Sequence, residues 1–499
     1  MGAEPQADLS TYRVAPIRLF GDDLAPPRPL YFMYFPAVLI LAGALSWTIG
    51  NDDGFAFGCV AATVISVYTL WQWLFRRAPT RFSTLLAMSL LLGYGGGALN
   101  TWLTLPRGPL ALSEVMGLGR GVLARGIAAV LFSSALLYFF GEIFEKPLFG
   151  QSFRLQIDST MRSLINLSAV GMLLGYAAHA LVIEGPASKS GHVSIPGLFI
   201  DWIYGPAVAL SIPAFLTAKT GRERVLAGLS SIVLLLLFAV LGRRVAVYST
   251  VLILFALGLT GYAWRGKAIR NAILIGFFGA IIAACGLVFM LLRISPLSRA
   301  NIRSPTIATR VAAANKLVKR GDALAVAVAA TRQNVQRRTF VIAFLANVLD
   351  AASTRTPALG RDAEDMIDST IPRAIDPNKV RFFTEEGLVD QQFGFGYGDE
   401  ANSVLTGGAT DFGLMGVLIY PLILIVVVRA VYEFLAMWLM PIPLLIVSLS
   451  LIGAFLPTEA TLSAYSAGIR NEIIFGIIIQ ILLFLPRFRL RQQYTGRLG

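Results

Sequence analysis

The residues best suited to chemistry lie in one stretch, Gln391–Gly416, where glycines are mixed with carboxylates and an amide. Asp399, Glu400 and Asn402 follow three alternating glycines, and a hydrophobic run begins at the end of the stretch. Glycine lets the backbone approach a ligand closely, and a positioned carboxylate can take a proton. The stretch therefore predicts a site at the mouth of a membrane span. The alternative is a glycine-rich turn whose carboxylates are solvated.

A second group of candidate residues is basic. Arg243 and Arg244 occupy a short turn between two apolar runs, where a charge is costly and usually faces a cavity or a partner. Arginine binds phosphate through a planar fork of donors, so the pair predicts a phosphate site, unless it only reaches lipid headgroups. Arg303 and Arg470, in the loops after the ninth and before the last predicted span, would add positive charge there. Their alternatives are a headgroup contact and a helix cap.

The composition is that of a membrane protein. Of 499 residues 56% are hydrophobic and 14% charged, whereas soluble domains carry about 25% charged residues. The only cysteines, Cys59 and Cys285, lie in apolar runs, and there are two histidines. These residues do not form a disulfide or zinc framework, and we expect neither a metal nor a cofactor.

Candidate spans were located as runs of about 20 apolar residues. They are 31–49, 54–75, 82–105, 122–144, 164–183, 202–218, 225–241, 245–263, 271–293, 411–431, 435–456 and 471–486. Basic residues are concentrated in every second connection, which predicts that both termini are cytoplasmic. The net charge of +13 is thereby explained by topology, and this argues against nucleic-acid binding.

The predicted fold is an all-α polytopic membrane protein with about twelve spans and one large external loop. Residues 1–293 form an N-terminal bundle of about nine spans, and residues 411–499 form the C-terminal spans and a cytoplasmic tail. Residues 294–410 form the loop, which is periplasmic if the cell is Gram-negative. Apolar residues recur at helical spacing in its first half, so we expect two or three amphipathic helices on or near the outer leaflet.

The chain resembles the Wzy-type polysaccharide polymerases and the related O-antigen ligases, which are multi-span proteins with one large external loop late in the chain. Gly242–Ala246, read GRRVA, stands where the family often has Gly-Ser-Arg and a small apolar run. The family's Gly-x-Gly, His-Asn, Leu and acidic-x-Gly-x-x-Gly elements match Gly394–Gly396, Ala401–Asn402, Leu405 and Asp411–Gly416. Ala401 replaces the histidine that is thought important in the ligases, and this favours a polymerase.

The resemblance implies a GT-C-like enzyme of the bacterial inner membrane. It would transfer a glycan from undecaprenyl diphosphate to a sugar hydroxyl of a lipid-linked repeat unit at the outer leaflet, without a metal and with inversion. Implied partners are the undecaprenyl-diphosphate-linked glycan, membrane lipids and a polysaccharide chain-length regulator.

The resemblance also implies roles for the candidate residues. Arg243 and Arg244 would hold the diphosphate, with Arg303 and Arg470 as helpers. Glu400 or Asp399 would be the general base and Asn402 an orienting amide. The alternatives are an O-antigen ligase, with lipid A–core as acceptor, and a lipid-linked oligosaccharide flippase. The two related halves common in transporters are not visible in the sequence.

Overall fold

A computed structural model describes ten continuous segments of the chain. These are residues 32–73, 79–99, 118–119, 121–149, 155–182, 195–236, 243–260, 340–371, 385–395 and 402–495, with isolated positions between 277 and 329.

The described residues form helices, and none of them lies in a β-strand. The α-helices are α1 (Tyr34–Ile49), α2 (Asp52–Trp71), α3 (Phe82–Leu90), α4 (Val122–Ile143), α5 (Ser159–Val182), α6 (Ile195–Leu216), α7 (Gly221–Leu236), α8 (Arg243–Leu259), α9 (Phe340–Thr354), α10 (Arg361–Thr370), α11 (Glu385–Phe393), α12 (Val404–Trp438), α13 (Pro441–Phe455) and α14 (Leu462–Thr495). A π-helical segment, Leu91–Gly96, continues α3.

Five of these helical segments are long and apolar enough to cross a membrane. They are Asp52–Trp71, Phe82–Leu99, Val122–Ile143, Val404–Trp438 and Leu462–Leu482. Large apolar side chains are exposed on the outward faces of α1, α2 and α12, as expected where lipid replaces water. The described part of the chain is therefore all-helical, as in an all-α membrane protein.

The helices pack in two groups. In the first, α4 lies at the centre and contacts α1, α2, α3, α9 and α12. In the second, α6 contacts α5, α7 and α8. The helix α13 contacts both α3 and α6 and so joins the groups.

One end of the bundle is marked by two turns in contact. A Cβ atom added to Gly121 would lie 2.5 Å from the carbonyl oxygen of Gly50. At the same end, Arg125 of α4 forms an ion pair of 2.7 Å with Asp350 of α9. We call this the Gly50 end.

The opposite end is marked by a buried charged cluster. Arg81, of which 2% is exposed, pairs with Glu142 at 2.5 Å. The Glu145 carboxylate accepts the backbone N–H groups of Phe82 and Ser83 and so caps α3. We call this the Arg81 end.

The structure corrects several expectations. Amphipathic helices at the membrane surface are expected in the first half of 294–410, but its last part forms α9, which is apolar and buried against α4 and α12. Most of the residues before α9 in this segment lie outside the described residues. The span predicted at 411–431 begins earlier and ends later, because α12 extends from Val404 to Trp438. The helix that contains the predicted span 471–486 begins at Leu462, so Arg470 lies within a helix and not in a loop.

Candidate functional site

The glycine-rich stretch forms the start of α12, which bends sharply. The backbone leaves helical geometry at Phe412 (φ −140°, ψ 18°) and Gly413 (φ 59°, ψ −139°). A Cβ atom added to Gly416 would lie 1.8 Å from the carbonyl oxygen of Gly408. In a straight helix these residues would be about 12 Å apart, so the chain folds back at the bend. We call Val404–Asp411 the half-helix.

The half-helix and the two residues before it carry polar side chains into the protein interior. These are Asn402, Ser403, Thr406, Thr410 and Asp411, each at most 5% exposed. The Ser403 Oγ accepts the N–H groups of Leu405 and Thr406 at 3.1 and 3.4 Å and so provides an N-cap. The Asn402 Oδ1 accepts the N–H of Ser403 at 3.0 Å.

The π-helical segment Leu91–Gly96 packs against this polar surface. The Tyr94 hydroxyl lies 2.5 Å from the Ser403 Oγ, and a Cβ atom added to Gly93 would meet the side chain of Thr458. Such π-helical turns within α-helices occur frequently at functional sites. Here the turn brings a tyrosine to the start of the half-helix.

Asp411 joins the half-helix to α10. Its fully buried carboxylate accepts the N–H of Asp362 at 3.1 and 3.2 Å and that of Ala363 at 3.3 Å. The Tyr420 hydroxyl, from beyond the bend, donates to it at 2.5 Å. A carboxylate is favourable at a helix N-terminus because of the unsatisfied N–H groups and the macrodipole. One side chain therefore ties three segments together.

A second buried carboxylate lies beside the half-helix. Asp362 is 1% exposed, and a Cβ atom added to Gly407 would lie 2.1 Å from its Oδ2. Glycine at this position is therefore required for α10 to approach.

An apolar groove of about 440 Å³ lies between α10, α12 and α14. Its lining is Ala363, Met366, Thr370, Tyr420, Ile423, Leu424, Val427, Val431, Leu462, Ser466, Ile469, Arg470, Ile473 and Ile474. Ile423, Val427 and Ile474 also belong to the exposed apolar surface of the bundle. The groove therefore opens sideways, toward the hydrocarbon of a membrane.

Arg470 is the one charged residue among those that line the groove. Its Nη1 donates to the carbonyl oxygen of Thr370 at 3.2 Å. Its Nε and Nη2 donate to the Asn471 Oδ1 at 3.3 and 3.2 Å. One guanidinium, a group that can bind anions, thus lies beside an otherwise uncharged groove.

The outer face of α10 is acidic. Partial burial raises the pKa of the Asp365 carboxyl, and the nearby charges of Asp368, Glu364 and Asp411 raise it further, while Arg361 lowers it. Negative charge is therefore crowded on the face of α10 that is turned away from the groove.

The structure describes two of the predicted site residues fully. Asn402 is buried beside the half-helix, and Arg470 lines the groove. Asp399, Glu400 and Arg303 lie outside the described residues.

Arg243 and Arg244 are the first residues of α8, and their side chains are not described. The helix ends at Leu259, whose carbonyl accepts the N–H of Leu155. The ring of Phe255 lies 6.0 Å from that of Phe149, near the Arg81 end. The helix α8 therefore begins on the side of the Gly50 end. The bend of α12 lies at the same end, since Gly413 is close to Ala352 of α9.

Sequence reasoning gave no role to Asp362, Asp411 or Tyr420. Asp411 stood in the family-like motif Asp411–Gly416, which was a usable signal. The sequence carries no comparable signal for Asp362 or Tyr420, because only the bend of α12 brings them to Asp411.

Among the described residues, no group of three or more His, Cys, Asp or Glu side chains is arranged to hold a metal ion. No family model, curated protein or solved structure matches the chain.

Proposed function

We propose that the chain is a membrane-embedded glycosyltransferase that polymerises lipid-linked repeat units. The donor is a glycan on undecaprenyl diphosphate, and the acceptor is a sugar hydroxyl of another lipid-linked repeat unit. The observation that supports this most directly is the groove, which combines an apolar lining, a lateral opening and Arg470. A polyprenyl chain with a diphosphate head has the same combination of properties.

Proximity of the candidate groups supports the proposal further. Asp399 and Glu400 directly precede the segment that leads into the half-helix, and Asn402 is held at its start. The half-helix contacts Tyr420, which also lines the groove. Arg470 and the half-helix therefore both adjoin the groove, and the proposed base lies just before the half-helix in the sequence.

The proposed chemistry balances without an added energy source. The acceptor hydroxyl oxygen attacks the anomeric carbon from the face opposite the diphosphate, and Glu400 or Asp399 takes its proton. The bond between the anomeric carbon and the diphosphate oxygen breaks, and undecaprenyl diphosphate leaves with the electron pair. Arginines stabilise the charge of the leaving group, and a single inverting displacement results.

The test uses the purified protein in liposomes with undecaprenyl-diphosphate-linked repeat units, and polymer length is read on a gel. We expect Arg470→Ala, Arg243→Ala or Arg244→Ala to slow transfer by about 10- to 1000-fold, since charge-assisted hydrogen bonds contribute roughly 1.5–3 kcal/mol each. Lysine in place of the arginine that holds the diphosphate should slow transfer almost as much as alanine, because lysine lacks the planar fork of donors. The double variant Glu400→Gln, Asp399→Asn should slow transfer by about 10²–10⁴-fold, the usual contribution of a general base.

The matched control is Arg125→Lys, at the same end of the bundle, in an ion pair that is about two-fifths exposed on each side. It should leave the rate unchanged. Movement of repeat units across the bilayer without lengthening would replace the proposal with a flippase. Transfer only to lipid A–core would replace it with a ligase.

A further inference from the structure

The helix α10 forms one wall of the groove. Ala363, Met366 and Thr370 line the cavity from this helix, and their spacing of three and four places them on one face. The other side of α10 carries the acidic residues Glu364, Asp365 and Asp368 and the exposed Ile367. Moving α10 away would therefore open the groove along its length.

The N-terminal end of α10 is firmly held but adjoins a strained joint. The N–H groups of Ala358 and Leu359 donate to the carbonyls of Thr410 and Asp411 at 2.9 and 3.1 Å. Leu359 has φ 56° and Gly360 has φ 96°. A left-handed conformation is costly for leucine but not for glycine, so the strain stored at this joint lies at Leu359.

The C-terminal end of α10 is intrinsically weak. Its last turn has no basic residue and includes Asp368, whose charge opposes the negative end of the helix dipole. The Arg470 Nη1 donates to the terminal carbonyl of Thr370, which satisfies a group that a helix end leaves open. Arg470 is therefore both a stabiliser of this end and the cation of the groove.

We propose that α10 is a lid that pivots at Leu359–Gly360, and that a lipid phosphate entering the groove releases it by taking Arg470 from Thr370. The bond from Arg470 to the Thr370 carbonyl has charge on the donor only, whereas a guanidinium and a phosphate are both charged and can pair through two parallel hydrogen bonds, so a phosphate competes with the carbonyl for Arg470. The same phosphate repels the acidic side chains of α10. An apolar chain attached to the phosphate fills the groove that the lid uncovers.

The inference rests on the proposed function only for the identity of the lipid that opens the lid in the cell. Its test involves no glycosyl transfer. The probe is phosphatidic acid in phosphatidylcholine nanodiscs, which supplies a lipid phosphate and no sugar. A failure of the lid therefore leaves the transfer assay unaffected, and a failure of transfer leaves the lid measurement valid.

Lid position is read as a distance between spin labels by pulsed electron paramagnetic resonance. The labels are placed at Ile367→Cys on the lid and Met437→Cys on α12, both exposed, with Cys59 and Cys285 replaced by alanine. We expect one distance in phosphatidylcholine and a second population when phosphatidic acid is added. Inorganic diphosphate without phosphatidic acid should not produce the second population.

Two variants should shift the lid in opposite directions. Arg470→Ala should populate the second distance in phosphatidylcholine alone and abolish the response to phosphatidic acid. Leu359→Gly relieves the strain of the closed lid, so opening should require roughly 5- to 30-fold more phosphatidic acid. The control is Arg361→Gln, which removes an exposed cation from α10 away from Thr370 and should behave as the parent.

The lid is overturned if the parent protein shows a single label-to-label distance at every fraction of phosphatidic acid. It is also overturned if Arg470→Ala gives the same distance distributions as the parent. Opening by inorganic diphosphate alone would overturn the requirement for a lipid. If Arg470→Ala does not fold, the Leu359→Gly titration decides, because a midpoint equal to that of the parent contradicts the strained pivot.

Discussion

At the scale of single residues, Asp411 connects three partners in the site, the N–H groups of Asp362 and Ala363 and the hydroxyl of Tyr420. A buried carboxylate is usually compensated by a cation, but Asp411 is bound by backbone N–H groups of α10 and by Tyr420. It therefore acts as a helix cap supplied from a distant segment. Its role is structural and positions the wall of the groove.

Asp411 is expected to contribute strongly to stability. Asp411→Ala leaves buried N–H groups without an acceptor and should lower the free energy of unfolding by roughly 2–5 kcal/mol. Asp411→Asn keeps one acceptor and should cost less. Tyr420→Phe should cost about 1.5–3 kcal/mol, the contribution of a hydrogen bond to a charged group. The measurement is thermal unfolding in detergent.

Tyr432→Phe is the matched control for Tyr420→Phe. The Tyr432 hydroxyl is buried but accepts a long hydrogen bond of 3.4 Å from the neutral Ser448 hydroxyl. Its loss should cost less than that of Tyr420. Equal melting temperatures for Asp411→Ala and the parent would show that the cap is not required.

At the scale of elements, the bend of α12 decides where the site residues lie. The half-helix crosses the following span at Gly408 and Gly416, with backbone against backbone. Small residues permit such close contacts between membrane helices. The contact aligns Asp411 with Tyr420 and places the start of the half-helix at Tyr94.

Gly416→Ala should disrupt this element. The added Cβ would lie 1.8 Å from the Gly408 carbonyl oxygen, and overpacking typically costs about 1–3 kcal/mol even where side chains can yield. We expect loss of thermal stability and of polymer formation. Gly468→Ala in α14 is the control, since nothing lies within 4 Å of its added Cβ. A Gly416→Ala protein as stable as Gly468→Ala would contradict the crossing.

The sequence predicted several apolar spans well and the polar half-helix poorly. The spans predicted at 31–49, 54–75 and 122–144 coincide closely with α1, α2 and α4, because hydropathy measures suitability for lipid. The half-helix was not predicted as a helix, because its glycines, threonines and Asp411 give it a low hydropathy. Its polar groups find their hydrogen-bond partners within the protein, which hydropathy does not measure. The groove could not be predicted, because it exists only where three separate helices meet.

At the scale of the whole molecule, the bundle has two chemically different ends. The Arg81 end has a buried ion pair and a capped helix, whereas the Gly50 end carries the bend of α12 and the start of α8. The distribution of basic residues predicts that the Gly50 end faces outward. An outward site is what a donor at the outer leaflet requires.

Cysteine accessibility tests this orientation. Cysteines at Ser353 and Ile49, exposed near the Gly50 end, should react with an impermeant reagent in intact cells. Cysteines at Phe144 and Thr495 should react only after the membrane is opened. The background lacks Cys59 and Cys285. Equal labelling of Ile49 and Phe144 in intact cells would refute the orientation.

The buried polar half-helix has a consequence for how the protein is made. The insertion machinery admits segments by hydrophobicity and length, and Val404–Asp411 is too short and too polar to enter alone. The apolar segment after the bend can enter by itself. The half-helix must then be drawn in after synthesis of this region, once the π-helical segment supplies Tyr94 and α10 supplies its N–H groups. Biogenesis of the site is therefore a late step that only an assembled bundle can complete.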